Sequence, residues 1–316
     1  MLLTARMIGA DGRARNPMIS GFAGQVRCAQ MRSAHAIGPI DSACAAPYSG
    51  LHLPSGLTGG EFVNNTDLTN RVVVITGAAG DIGMAMARRF AAAGARLALL
   101  DRNGALLQAR CDAAFGAKHA VFTAECDVAD ATQARALIER IAAHHGAIHA
   151  LVNNAAAVTP RVRVTDLPLA DWQRAFDVNV TGAFVMAQAV IPHLQAAGGG
   201  VVLNIASQLG HVTAPGQAAY SASKAALHSL TRSIAVDHAT DGVRAVSLSP
   251  GAVMTSRLTA RYGSEDAVNQ ALAGLHPLGR IGTPQDIAAA ALFLISDGAA
   301  FVTGTDMLVD GAYTAV

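Results

Sequence analysis

Val72-Val73-Val74-Ile75-Thr76-Gly77-Ala78-Ala79-Gly80-Asp81-Ile82-Gly83 reads as a strand, a glycine turn and the opening of a helix. Four successive β-branched residues suit a strand buried on both faces, as in a parallel sheet covered by helices. Glycine lets backbone approach a ligand closely, and a helix N-terminus offers unpaired N–H groups with a partial positive charge. The stretch therefore predicts a phosphate-binding turn after the first strand of an α/β domain.

Working outward, short apolar runs recur at 72–75, 97–100, 120–122, 150–152, 201–203, 245–248 and 307–309. Between them, segments 83–93, 131–144, 170–195, 218–238 and 284–296 are long enough to cross over as helices. Alternating strand and helix predicts a Rossmann-type, doubly wound parallel sheet of about seven strands, a single α/β domain over residues 69–316. Residues 1–68 lack this periodicity. They are rich in Gly, Pro, Ser and Ala, and Arg6, Arg13, Arg15, Arg27 and Arg32 face few acids. They read as a disordered N-terminal extension, with an import leader or a true start near Met18 or Met31 as alternatives.

Composition narrows the class. The 316 residues are 52% apolar and 14% charged, which excludes a disordered protein. A net charge of +1 asks for neither nucleic acid nor an anionic membrane surface. No uninterrupted apolar run reaches membrane-spanning length. Cys28, Cys44, Cys111 and Cys126 form no C-x-x-C pair and read as reduced structural thiols. No metal is expected, because no His/Cys/Glu group has ligand spacing along the chain. Lysine occurs only at 118 and 224 in an otherwise arginine-based set, which invites a chemical role for one that is kept.

The second run ends in Leu99-Leu100-Asp101, with the acid 18 residues beyond Gly83. An acid there suits the adenosine ribose hydroxyls and repels a 2′-phosphate, which predicts NAD over NADP. Arg102, next in the chain, is the group that would hold such a phosphate. Tyr220-Ser221-Ala222-Ser223-Lys224 lies inside a helical segment, so Tyr220 and Lys224 share one helix face. Ser207 precedes Tyr220 by 13 residues, just past the 201–203 run. A tyrosine with a pKa near 10 is a poor base at neutral pH. Lowering it by about 3 units takes about 4 kcal/mol. One ammonium about 4 Å away supplies that much at an effective dielectric near 20.

Together these features resemble the short-chain dehydrogenase/reductase family over about residues 69–316. The family's T-G-x-x-x-G-x-G is matched by Thr76, Gly77 and Gly83, with Asp81 in place of the middle glycine. Asp81 is expected to turn from the phosphate and cap the helix that starts there. The resemblance implies a hydride-transferring oxidoreductase with four catalytic residues. Tyr220 is the acid/base, Ser207 holds the substrate oxygen, Lys224 tunes Tyr220 and binds the nicotinamide ribose, and Asn179 holds a relay water. It also implies cofactor contacts at Gly77, Ala79, Asp81, Ile82, Gly83, Asp101, Arg102, Asp127, Val128, Asn153, Ala155, Tyr220 and Lys224. Further contacts are expected at Pro250, Gly251, Val253 and Thr255 in a P-G-x-x-x-T segment.

By the same analogy the substrate faces Val158, Gln208, Leu209, His211, Gln217, Met254 and Leu258, under a loop over 254–280. Arg161 and Arg163 are candidates for a substrate carboxylate, or simply solvated. A small-molecule alcohol or ketone, a homotetramer (or homodimer) and a cytoplasmic setting complete the expectation. The alternatives are an NADPH-dependent 3-oxoacyl-thioester (acyl carrier protein) reductase and a cofactor-sensing binding module.

Overall fold

The computed structural model describes residues 66–116 and 121–316. The chain divides into two units, residues 1–60 and 61–316, and the first lies outside the described residues, as does nearly all of the expected extension. Leu68, the last residue of that extension, is buried in the core and donates its N–H to Ala93.

Seven parallel strands form one sheet in the order β3-β2-β1-β4-β5-β6-β7. They are β1 (Val72–Thr76), β2 (Arg96–Asp101), β3 (Phe122–Glu125), β4 (Ala150–Asn153), β5 (Gly200–Ile205), β6 (Val243–Pro250) and β7 (Asp306–Val309). The third expected run starts two residues early, and Ala120 lies outside the described residues. The helices are α1 (Asp81–Ala92), α2 (Gly104–Phe115), α3 (Ala131–His145), α4 (Leu169–Phe176), α5 (Gly182–Ala196), α6 (Ala218–His238), α7 (Ser256–Tyr262), α8 (Glu265–Leu272) and α9 (Pro284–Ile295).

Period-two alternation sorts the strand residues to two cores. Val73, Ile75, Leu97, Leu99, Val152, Leu203 and Val246 pack on one side with Met84, Ala87 and Phe90 of α1, and Ile287 and Ala291 of α9. Val74, Ala98, Leu100, Leu151 and Val202 pack on the other with Ile138 and Ile141 of α3, Met186 and Val190 of α5, and Ile234 of α6. The central strands therefore carry apolar residues on both faces and read as apolar runs, while the edge strand β3, Phe-Thr-Ala-Glu, is only partly buried. Local signals set the helix ends. Asp130 accepts from Thr132 and Gln133 N–H to start α3. Thr283 and Asp286 form a reciprocal capping box at α9, with Pro284 in the first helical position.

The expected helix 170–195 is interrupted. A π-helical turn, Asp177–Thr181, separates α4 from α5. The run Leu169–Ala196 is long and apolar enough by composition to cross a membrane, yet half of its most apolar window is buried inside this fold. The buried half, including Val185, Met186, Val190 and Leu194 of α5, faces the core. Cys111 and Cys126 are free thiols in the buried interior, and burial pushes Cys126 up to about 11, so it stays protonated at neutral pH.

Candidate active site

The strand order reverses between β1 and β4, and a crevice opens there at the carboxyl ends of the strands. It is a cleft of about 1020 Å³, at the upper end of the range for small-molecule sites.

The glycine turn forms its floor. Gly77 has φ +64°, and a Cβ there would sit 2.8 Å from Ala155 Cα. At Gly83 a Cβ would meet the Gly77 carbonyl oxygen at 2.5 Å, so the turn closes on itself only without side chains. Thr76 Oγ1 accepts from Asn154 N (3.0 Å) and Ala155 N (3.1 Å). Asn154 Nδ2 donates back to the carbonyls of Thr76 (3.1 Å) and Gly77 (2.9 Å). Thr76 and Asn154 thus lock the ends of β1 and β4 around the crevice.

Asn153 departs from expectation. Its side chain turns into the interior and donates to Asn204 Oδ1 (2.9 Å) and Ala183 O (3.2 Å). Successive strand residues face opposite ways, and the second asparagine of the pair faces the cleft. Every other expected cofactor contact lines it.

Asp81 also departs. Gly80, not Asp81, caps α1, and it makes no side-chain cap. The Asp81 carboxylate instead accepts from Arg110 Nη1 (2.8 Å), Ser256 N (2.7 Å) and Ser256 Oγ (2.7 Å). Burial pushes its carboxyl up, but these hydrogen bonds and the Arg110 charge outweigh burial and hold it below the usual range. Ser256 is the first residue of α7, so Asp81 caps a helix from the far end of the chain.

At the other edge of the turn, Asp101 accepts from Ala79 N and Asn103 N, both at 3.0 Å. These bonds fix its carboxylate against the glycine turn. Asp127 caps its own loop through Ala129 N.

The catalytic candidates converge on the opposite half. Lys224 is buried and donates from Nζ to the Ile205 carbonyl at 2.7 Å, with Nζ 5.8 Å from the centre of the Tyr220 ring. Burial, with help from the Arg257 charge, pulls Lys224 down to about 7. Burial pushes the Tyr220 phenol above its ordinary value, against the opposing pull of the Ser207 hydroxyl and Arg257. The groups of the chain by themselves therefore leave the phenol above its ordinary value. Arg257 is the cation whose charge acts against that rise.

Asn179 sits in the π turn, 1% exposed. Its Oδ1 accepts from Ala157 N (2.8 Å), and its Nδ2 donates to Ser223 Oγ (2.9 Å). Ser223 in turn donates to the Tyr220 carbonyl at 2.8 Å. The Asn179 side chain thus braces the Tyr220–Lys224 helix against the loop after β4. π turns recur at functional sites because they re-aim a helix by one residue.

Of the substrate-facing candidates, Val158, Gln208, Leu209, Gln217 and Leu258 line the cleft, and so does Arg161 but not Arg163. Met254 lines a neighbouring groove beside Arg88 and Thr283. His211 is drawn away to Asp306, its Nε2 2.7 Å from Oδ2. The fold gathers His211, His228 and Asp306 within 4.8 Å, a grouping that no spacing along the chain announces. Ser249 Oγ donates to Asp306 Oδ1 (2.9 Å) and lies 3.1 Å from His228 Nε2, so a continuous hydrogen-bond network accounts for the group.

Sequence reasoning also missed His276. Its Nε2 accepts from Ala252 N (3.2 Å), and its Nδ1 lies 2.9 Å from the Leu272 carbonyl, so it braces the Pro250–Thr255 segment.

Residues 77–314 match the family model described as enoyl-(acyl carrier protein) reductase. The chain belongs to the short-chain dehydrogenase/reductase family. That description names one activity within the short-chain dehydrogenases/reductases. Among individual relatives, the chain is 38% identical over 247 residues to the cis-4-hydroxycyclohexanecarboxylate dehydrogenase of Sinomonas cyclohexanicum, covering 78% of this chain and 97% of that protein. It is equally 38% identical to the D-threitol dehydrogenase of Mycolicibacterium smegmatis, over 78% and 94% of the two chains. The solved structure of a 7α-hydroxysteroid dehydrogenase, complexed with NADH and 7-oxo glycochenodeoxycholic acid, superposes with a TM-score of 0.73 at 34% identity. That match covers 78% of this chain and 95% of the steroid enzyme.

The residues present fit a nicotinamide dinucleotide. The side-chain-free turn at Gly77 and Gly83 admits a pyrophosphate. Gln208 Oε1, beside Gly251, is buried without a hydrogen-bond donor, as suits the end that would receive a carboxamide N–H. This short-chain dehydrogenase/reductase is an oxidoreductase built for a nicotinamide cofactor.

Proposed function

We propose that the enzyme transfers a hydride between NAD(H) and a secondary alcohol or its ketone, with Tyr220 as the proton acceptor in oxidation and donor in reduction. The observation that carries this reading is the convergence of Ser207, Tyr220 and buried Lys224 on one cleft, with Asp101 at its far end. The relatives support the substrate class, since the two curated ones are named as dehydrogenases of a ring alcohol and a polyol.

A bound nicotinamide supplies the hydride acceptor or donor, and its positive oxidised form favours the phenolate. The chain's own groups handle the proton. Ser207 orients the substrate oxygen toward the phenol. Tyr220 takes the hydroxyl proton as the C–H bond breaks. Lys224 passes the charge on, held in register by the Ile205 carbonyl. Both ends of the Asn179 amide are engaged in bracing, so we assign the water relay to the Asn179 main chain within the π turn.

NAD is preferred over NADP in this reading because Asp101 is fixed where a 2′-phosphate would stand. Asp101→Asn should weaken NADH binding about ten- to hundredfold, the usual worth of hydrogen bonds to a charged group. It should also narrow the gap to NADPH. Fluorescence titration of both cofactors is the test. Tighter binding of NADPH by the unaltered protein would give the adenosine end to Arg102 and move the acyl-thioester reductase reading to first place.

We also propose a homotetramer, since Leu169, Phe184 and Val236 on α4, α5 and α6 stand 69%, 47% and 79% exposed. Light scattering at the mass of a single 32.2 kDa chain would refute it. The cytoplasm is the proposed compartment, and organellar import of a fluorescent fusion to residues 1–70 would overturn that.

A further inference from the structure

The cleft is lined by seven cationic side chains (Arg102, Arg110, Arg161, Arg174, Arg257, Arg261 and Lys224) and four carboxylates (Asp81, Asp101, Asp127 and Asp177). The carboxylates are not spread evenly. Asp81, Asp101 and Asp127 stand at the glycine turn, at the end of β2 and just beyond β3, each already engaged in hydrogen bonds. Asp177 lies on the π turn, one helical turn after Arg174. The same cleft holds Arg161, Arg257 and Arg261 among apolar walls such as Leu209, Leu258 and Leu275, and no carboxylate of residues 155–168 or 252–275 lines it. An apolar cleft with charge of one sign concentrates a ligand of the opposite sign.

Arg161 is the best-held of the three. With its amide oxygen turned toward the guanidinium, Gln217 accepts from Arg161 Nε (2.7 Å) and Nη2 (2.8 Å). Gln217 is buried and stands three residues before Tyr220, so the guanidinium is fixed relative to the reacting phenol. A guanidinium has five N–H groups, and two are used here. The remaining three include the paired outer edge that takes a carboxylate with two parallel hydrogen bonds. Arg257 lies near enough to Tyr220 and Lys224 to act on the charge of both.

We propose that Arg161, fixed by Gln217, and Arg257 form an anion subsite, so that the substrate is a secondary alcohol or ketone carrying a carboxylate. This rests on the hydride-transfer reading of the same cleft. The carboxylate docks on the outer edge of Arg161, Arg257 adds a second positive charge between it and the reacting carbon, and the apolar walls take the intervening hydrocarbon. Gln217 is a positioning residue.

The test compares 3-oxocyclohexanecarboxylate with its methyl ester, reduced by NADH. The unaltered enzyme should favour the carboxylate by ten- to a hundredfold in kcat/KM. Arg161→Met should erase that preference through KM, leaving kcat/KM for the ester and the Kd for NADH within about twofold. Gln217→Met should raise KM for the carboxylate alone, several-fold. Equal use of ester and carboxylate, with turnover intact, would overturn the subsite and leave the hydride-transfer reading standing. An Arg257→Met variant that loses NADH affinity and keeps the carboxylate preference would give Arg257 to the cofactor pyrophosphate and remove it from the subsite. If neither ketone turned over, the hydride-transfer reading would fall. Binding of cyclohexanecarboxylate to the NADH complex, followed by NADH fluorescence and lost in Arg161→Met, would still decide the subsite.

Discussion

Tyr220→Phe should lower kcat by about a thousandfold or more while NADH binds within about threefold of its original affinity. The substitution keeps the ring and removes only the hydroxyl, so packing on α6 is retained and the proton path is not. General acid/base groups contribute about 10²–10⁴-fold, and Tyr220 is the phenol that interacts with the Ser207 hydroxyl in the cleft. The pH profile carries the same information with a sign. Oxidation needs the phenolate, and the charges of this chain alone leave Tyr220 above its ordinary pKa. Alcohol oxidation should therefore climb with pH, up to tenfold per unit below the operative pKa, while ketone reduction falls at high pH. Turnover in Tyr220→Phe within tenfold of the original, with an unchanged profile, would remove Tyr220 from the chemistry.

Lys224→Met should also reduce kcat/KM by at least about a hundredfold, and it should make the protein more stable. Lys224 is buried, with a carbonyl oxygen as its one charge-assisted partner. Its folded pKa of about 7 lies far below the ordinary 10.5. Below pH 7 it is charged in both folded and unfolded chains, and the whole cost of burying the ammonium falls on the folded state. Between about pH 7 and 10.5 the unfolded chain still holds the proton that the folded chain has released, so stability rises with pH and the cost is relieved. The methionine variant should thus have a Tm several degrees higher at pH 6, with the gain shrinking toward pH 10. A variant less stable at every pH would mean that the ammonium is a net structural asset. Stability surrendered at a single buried cation is a common signature of function.

The sheet was legible because parallel strands are apolar on both faces, and the run that was misplaced belongs to the edge strand β3, whose Thr123 and Glu125 break the apolar pattern. Helix α2 was not. It buries only Leu107 and Cys111 among its twelve residues, too narrow a stripe to register as periodicity. The break in 170–195 was invisible because the backbone stays helical through the π turn, with no proline or glycine before Gly182 to mark it. Within the site, residues that act through their neighbours along the chain were readable, as Tyr220 and Lys224 share a helix face. Residues that act across the fold were not. Nothing local distinguishes Asn153 from Asn154, or announces that His276 will brace Ala252 or that Gln217 will grip Arg161. The Asp81 substitution was noticed, but its partner lay 175 residues away and only the fold supplies it.

That partner gives the lid a fixed heel. The connection over 254–280 is tethered near its start, where Ser256 donates two 2.7 Å hydrogen bonds to Asp81 in the glycine turn. Further on, Gly263 has φ +93° and open space around its Cβ position, and it marks the break between α7 and α8. Thr255 and the start of α7 are thereby held to the glycine turn, while α8 and the residues leading to Arg280 have no such tie to it among the hydrogen bonds described. Where the family pattern has a pliant glycine, this chain has a doorpost.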